Sequence, residues 1–377
     1  MRDECPVYYN DKFDFYALTR FDDVLRATTD TEVFSSSHTT TLEMMSPDPV
    51  DELVNRAFTP RAIARLEARV HRICARLLDP FVGTGGFDYV DEFGALLPPT
   101  VILEMLGFPE GREQEWRRAI DQMFHEMGAM GGAAATGEGE LPSSVMRSVD
   151  DTETLVSQSD LASTVFGMLP ELIEQRRRQP TDDILSTLVH AEIEENGERR
   201  SITTAELYAF IQLLAIAGTE TVARLLSWMA VILARFPEQR AVVVDNPALI
   251  PNAVEELLRY EAPSPVNGRW VTRDVEFHGV TIPAGSKLIM LNGAANRDER
   301  AFEDPNRFDV RRKFTKHLSL GYGAHYCVGA ALARLEGRIA LEETLKRWPA
   351  WDVDESKIEW AHTSTVRGYA RVPITFP

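Results

Sequence analysis

The sequence predicts a mainly α-helical protein with small β-sheets, and three observations carry that prediction. Apolar residues recur at helical spacing through most of the region from 59 to 347. One of these runs continues unbroken for about 32 residues, a rod of nearly 50 Å at 1.5 Å per residue. Strand-like alternation is confined to short stretches near the N-terminus, in 275–291 and in 359–376.

In chain order, residues 7–9 and 13–18 flank the turn Asn10-Asp11-Lys12 as a hairpin, and FDDVLRAT follows with helical spacing. Residues 59–126 read as mostly helical, with breaks at 80–86 and at Pro98-Pro99. The Gly/Ala-rich stretch MGAMGGAAATGEGELPSSV, 127–145, lacks periodicity and reads as a mobile connection or part of a lid. Asp160 is a plausible cap for LASTVFGMLPELIEQRRR, and DDILSTLVHAEIEE continues in helical register. Thr203 and Glu206 have capping-box spacing and open the long helix, which Phe236-Pro237 ends. Its middle, LLAIAGTETVARLL, is apolar nearly all round, so this helix should cross the core. A helix over 252–260 precedes the β-rich VEFHGVTIPAGSKLIML, and another runs over 328–347 to Trp348-Pro349.

The bulk numbers bound the function. With 377 residues, 44% of them hydrophobic, the chain can bury a large core. A net charge of −18 excludes a nucleic-acid partner, because polyanions are repelled. No uninterrupted apolar run reaches the ~18–20 residues of a membrane span, and the charged N-terminus lacks a signal-peptide core. Cys5, Cys74 and Cys327 are far apart and odd in number, which points to a reducing, cytoplasmic setting.

Three constellations carry chemistry. Gly218 stands inside the long helix at a cost of roughly 1 kcal/mol against alanine, beside Thr219, Glu220 and Thr221. It serves either a close helix–helix approach, with threonines bonding back to carbonyls four residues earlier, or a groove where the backbone opens beside a ligand. A buried acid next to a hydroxyl is also a proton-delivery pair. Glu256 and Arg259 lie at i,i+3 in EELLRY, either as a solvated pair or as a buried bidentate pair extended by a second arginine, for which Arg307 in DPNRFD is the candidate. In LGYGAHYCVG, 320–329, glycines surround Cys327 just before a helix whose N-terminus favours a thiolate. That cysteine is either an inert buried thiol or a ligating one. A hydrolytic nucleophile would need a base, and His325 is too close in sequence to provide the usual arrangement.

The order AGTET, ExxR, PxRF and GxGxHxCxG, with its trailing AALARLE, resembles the cytochrome P-450 family, bacterial soluble class. The resemblance covers nearly the whole chain from Val7 onward. It implies the cytochrome P-450 fold in one domain, 1–377, with a shortened N-terminal part and a long mobile lid over 127–160. It also implies haem b (iron protoporphyrin IX) as cofactor and Cys327 as the ligand of its iron. Gly321, Gly323, Gly329 and Leu320 then form the loop under the porphyrin, while His325 and Arg269 match propionate-binding positions. Ala217 and Gly218 match the groove above the distal face, and Glu220 and Thr221 the acid–alcohol proton relay. Glu256, Arg259 and Arg307 match the structural triad.

The implied reaction is monooxygenation of a mid-sized hydrophobic molecule by O2. Electrons come from a ferredoxin-type partner, for which the basic run VRRKFTKH, 310–317, is a docking candidate. The implied protein is a monomer without a membrane span. Pocket candidates are Ile216 and Ala217, then Pro265, Val266 and Asn267, then Thr363, Ser364, Thr365 and Val366. A haem-binding protein without turnover and a peroxide-driven variant remain alternatives. Two departures stand out. Leu320 replaces the family's usual phenylalanine. In 48–61 the family's propionate-gripping histidine and arginine are not recognisable, so segments are missing there or haem is held by fewer contacts.

Overall fold

A computed structural model of the chain describes residues 2–36, 58–59, 63–109, 111–119, 167–195, 198–313, 316–361, 363 and 365–376. The expected lid over 127–160, its Asp160 cap, Ser364 and nearly all of 48–61 lie outside these residues.

β1 (Val7–Asn10) and β2 (Phe15–Leu18) form the expected antiparallel hairpin, with Val7 opposite Leu18. α1 (Phe21–Thr29) buries Phe21, Val24, Ala27 and Thr28 on one face, and β3 (Phe34–Ser35) follows. α2 (Glu67–Leu78), β4 (Gly86–Asp88) and α3 (Leu97–Met105) come next. Pro98-Pro99 does not separate elements: the prolines stand in the first turn of α3, where a missing N–H breaks no helical bond.

α4 (Leu169–Arg178) leads to α5 (Ile184–Val189), whose cap Asp183 accepts the Ser186 N–H at 2.6 Å. The helical reading of AEIEE is corrected: β5 (Glu192–Glu195) and β6 (Glu198–Ser201) pair as an antiparallel hairpin. Only Ile193 of that acidic stretch needs burial, and alternation supplies it more readily than a helical stripe.

α6 (Thr204–Arg235) is the long central helix, opened by the predicted reciprocal Thr203–Glu206 cap. It packs against α3 and then against the later helices over 250–260 and 330–347. By length and composition alone it could cross a membrane, yet 65% of its most apolar stretch is buried within the fold. α7 (Pro237–Asp245) starts as soon as Phe236 ends it, and α8 (Ile250–Tyr260) follows.

β7 (Asn267–Val271), β8 (Val275–Phe277), β9 (Val280–Ile282) and β10 (Lys287–Met290) make up the β-rich stretch, followed by the short α9 (Asn292–Ala295). The main sheet has the order β1-β2-β10-β7-β3, with β10 parallel to β2 and antiparallel to β7. α10 (Ala330–Arg347) is the last long helix. β11 (Asp352–Val353), β12 (Glu359–Trp360), β13 (Tyr369–Arg371) and β14 (Pro373–Thr375) complete the chain.

Two apolar cores result. The larger surrounds α6 and includes Ile102, Leu225, Val254 and Ile339; the smaller joins α1 to the main sheet through Leu18, Val24, Phe34 and Leu288.

Candidate active site: the cysteine loop and the central helix

The cysteine loop is folded back on itself by its own backbone. The Cys327 N–H donates to the Leu320 carbonyl at 2.8 Å, and the Tyr326 N–H to that of Gly323 at 3.1 Å. Gly321 takes φ +67°, and a Cβ there would run into the His325 carbonyl oxygen, so the loop tolerates no side chain at this point. Gly323 and His325 share one tight helical turn, and Leu320 is buried. α10 starts at Ala330 rather than at 328, so Cys327 lies in the turn before the helix.

The Gly329 N–H lies close enough to the Cys327 sulfur to pull its pKa down, and a Cβ on Gly329 would lie 3.8 Å from that sulfur. Cys327 is exposed on the loop, and the protein atoms near its sulfur raise its pKa against the opposing pull of Gly329 and Arg334. Such a thiol ionises when a cation takes the proton's place, as a metal does. Among the described residues no cluster of three or more His, Cys, Asp or Glu could hold a bare ion. A single sulfur donor on this loop suits a metal whose other ligands come with a cofactor, as those of haem iron do.

Arg334 links this loop to α8. It donates to the Tyr326 hydroxyl at 2.7 Å and grips Glu255 at 2.6 and 3.0 Å. Glu255, also bonded by His317, is held at a pKa of about 2 by these partners against its own burial. Arg269 sits on β7 opposite Leu288, is 2% exposed, and donates to the Gly268 carbonyl at 2.7 Å.

On α6, Thr221 donates to the Ala217 carbonyl at 2.6 Å, the back-bond expected of a helical threonine. Thr219 is buried without such a bond. The helix stays continuous through 217–221, so the opened-backbone reading of Gly218 does not hold. A Cβ there would approach Ile102 of α3 to 2.8 Å, which makes this glycine a close-packing device. Ala217 and Ile216 are half-buried beside it. Glu220 is buried, and Arg224 one turn later donates to its Oε2 at 2.9 and 2.7 Å while also bonding the Tyr369 carbonyl. Sequence reasoning missed Arg224, although its i,i+4 spacing from Glu220 was visible.

Behind the loop, Glu256 and Arg259 form a fully buried bidentate pair at 2.7 and 2.8 Å. The second arginine is Arg312, whose Nε reaches Glu256 at 3.1 Å; Arg307 is corrected. Arg307 is exposed, its guanidinium lies 3.7 Å from Asp309, and only its carbonyl accepts from Arg259 and Arg312. Of the pocket candidates, Pro265 and Val266 border a recess of about 270 Å³ with Arg297 and Arg367. The Asn267 amide oxygen is committed to Asn292, and Thr365 and Val366 are buried in a turn closed by Thr363.

The family model for cytochrome P450 matches residues 52–359. The 6-deoxyerythronolide B hydroxylase of Saccharopolyspora erythraea is 35% identical over 325 residues, covering 86% of this chain and 74% of that protein. The structure of cytochrome P450 CYP109Q5 from Chondromyces apiculatus superposes with TM-score 0.83 at 31% identity, covering 100% of this chain and 93% of that one. CYP109E1 from Bacillus megaterium, solved in complex with testosterone, gives TM-score 0.81 at 28% identity, covering 100% and 97%. The chain belongs to the cytochrome P450 family. It is a P450 monooxygenase, and its cofactor is haem b, as is standard for that family.

Proposed function

We propose that this P450 oxidises a mid-sized hydrophobic small molecule, with Cys327 as the iron ligand and a ferredoxin-type protein as electron donor. The observation that carries the reading is the Cys327 sulfur itself, presented on a self-bonded loop and met by the Gly329 N–H. Bound haem supplies the activation of O2 that lets one oxygen atom enter the substrate. The chain's own residues hold, orient and protonate. Gly329 and the loop backbone fix the sulfur and moderate its donor strength. Thr221 and Glu220 sit one turn from Ala217 as the hydroxyl and acid that pass protons inward. Arg269 and His325 are cationic or hydrogen-bonding groups suited to haem carboxylates. The Glu256–Arg259–Arg312 cluster holds the segment behind the loop and takes no part in chemistry.

For the substrate, the half-buried apolar candidates Ile216, Pro265 and Val266 suit a hydrophobic molecule. A polyketide or steroid skeleton agrees with the similar hydroxylase of a deoxyerythronolide and with the testosterone-bound neighbour. For the electron donor, Arg307, Arg311, Lys313 and Lys316 border one recess of about 950 Å³, and Lys316 lies 5.3 Å from the Tyr322 ring of the cysteine loop. Arg312 is already committed to Glu256 and is not a docking charge. We read the chain as one domain working in a reducing, cytoplasmic setting, consistent with Cys5, Cys74 and Cys327 all being free thiols.

The test is the absorption of the reduced, haem-loaded protein under carbon monoxide. The red-shifted Soret band of a thiolate ligand is expected in the wild type and in Cys74→Ser, and is lost in Cys327→Ser. A band that survives Cys327→Ser overturns the assignment.

A further inference from the structure

Both arms of the cysteine loop are fastened to one carboxylate, Glu255 of α8. Before the loop, His317 Nε2 bonds Glu255 Oε2 at 3.1 Å, and the Ser319 N–H donates to His317 Nδ1 at 3.3 Å. A ring that accepts at Nδ1 donates at Nε2, so the imidazole bridges Ser319 to Glu255. The Ser319 hydroxyl in turn donates to the Leu258 carbonyl of α8 at 2.6 Å. At the other arm, Arg334 forks onto both oxygens of Glu255 through Nε and Nη2, at 2.6 and 3.0 Å. Its Nη1 donates to the hydroxyl of Tyr326, the residue before Cys327, at 2.7 Å. All donors of this guanidinium face fixed partners, so its place beside the loop is set. Its charge favours the anion at the Cys327 sulfur. The Arg334 and Glu255 side chains are 36% and 24% exposed, so water screens their fields without cancelling them.

We propose that Arg334 and Glu255 are positioning residues that act through the Cys327 sulfur. The guanidinium offsets the charge of the thiolate, the carboxylate limits that offset, and together they set the potential at which bound haem iron takes up one electron. This rests on the reading that Cys327 ligates the iron. A strongly donating thiolate stabilises the ferric state, whereas a cation held nearby favours the ferrous state, which carries one positive charge fewer. The electron comes from the external donor and stays on the iron, and no bond is made or broken.

The experiment is an equilibrium redox titration of the haem-loaded protein with dithionite and mediator dyes, which reads the ferrous-to-ferric ratio at fixed potential. Arg334→Gln is expected to lower that ratio about three- to tenfold, and Glu255→Gln to raise it about two- to threefold. Arg334→Lys keeps the charge and should stay within about twofold of the wild type. Arg338, one turn further along α10 and paired with Glu67 and Glu342, is the charge-matched control, and Arg338→Gln should leave the ratio unchanged. Shifts of the same sign in Arg334→Gln and Glu255→Gln mark a merely structural role and overturn the proposal. So does an equal shift in Arg338→Gln, which marks a general effect of protein charge. Should Arg334→Gln fail to fold, a fall or no change in Glu255→Gln overturns it alone. Each protein's reduced carbon monoxide spectrum is recorded alongside. A wild type without the thiolate band refutes ligation by Cys327, and the proposal falls with it; same-sign shifts with that band intact refute the proposal and leave the ligation standing.

Discussion

Arg224 sends two donors, Nε and Nη2, to the same carboxylate oxygen of Glu220, at 2.9 and 2.7 Å, from the next turn of α6. Both side chains are buried, and Arg224 also bonds the Tyr369 carbonyl, so the acid is held from the side of the C-terminal strands. Removing one member of a buried pair leaves the other desolvated and uncompensated, which costs about 3–5 kcal/mol. Arg224→Met is therefore expected to lower unfolding stability by that amount. The double variant Arg224→Met/Glu220→Gln should recover much of it. Urea unfolding of the four proteins of this cycle checks the coupling, and additive losses would mean that the pair is not coupled.

Thr221 spends its hydroxyl proton on the Ala217 carbonyl at 2.6 Å, which leaves its oxygen free to accept a second hydrogen bond. In the proposed relay that oxygen holds the proton donor nearest the reacting centre. Thr221→Val keeps the volume but loses the acceptor, so product formed per O2 consumed should fall by about tenfold or more. Haem content and the carbon monoxide spectrum should stay as in the wild type. Measuring O2 uptake against product separates this outcome from a simple loss of folded enzyme.

Arg307 and Arg312 make a clean comparison because they lie close in sequence and differ in burial. Arg312 reaches a fully buried carboxylate, Glu256, while Arg307 faces solvent. Arg312→Met is expected to cost about 3–5 kcal/mol and to lower haem retention, because Glu256 loses one of its two cations. Arg307→Met should change stability by less than about 0.5 kcal/mol. Equal effects in thermal unfolding would return Arg307 to the triad.

These residues also show what the sequence could reveal. Glu256 and Arg259 are legible because i,i+3 spacing on a helix fixes their geometry before any tertiary contact forms. Their third partner is not, because residues 303–312 form an irregular loop, turned at Asp304 with φ 43°, where spacing says nothing about direction. The capping box of α6 was readable for the same local reason. The β5–β6 hairpin was misread because glutamates favour helices, although the Asn196-Gly197 dipeptide between its strands is a hairpin signal. Gly218 was ambiguous alone, since the residue that demands it, Ile102, lies more than a hundred positions earlier.

Glu336 gives a pH dependence with a definite sign. It lies on α10, is 1% exposed, and its Oε2 has no hydrogen-bond partner. Burial raises its carboxyl from an ordinary 4.5 to about 8, and its charge would in turn disfavour ionisation of the buried Cys74 on α2. Between those two pH values the folded protein keeps a proton that the unfolded chain releases. Stability from this group is therefore complete at acid pH and declines as pH rises towards 8, where the folded form also ionises. From pH 5.5 to 8 the decline amounts to about 3 kcal/mol. Glu336→Gln keeps the shape and carries no charge at any pH, so its stability should lack this slope. Urea unfolding of both proteins at pH 5.5, 6.8 and 8 measures the difference, and parallel profiles would show that Glu336 is not held neutral in the fold.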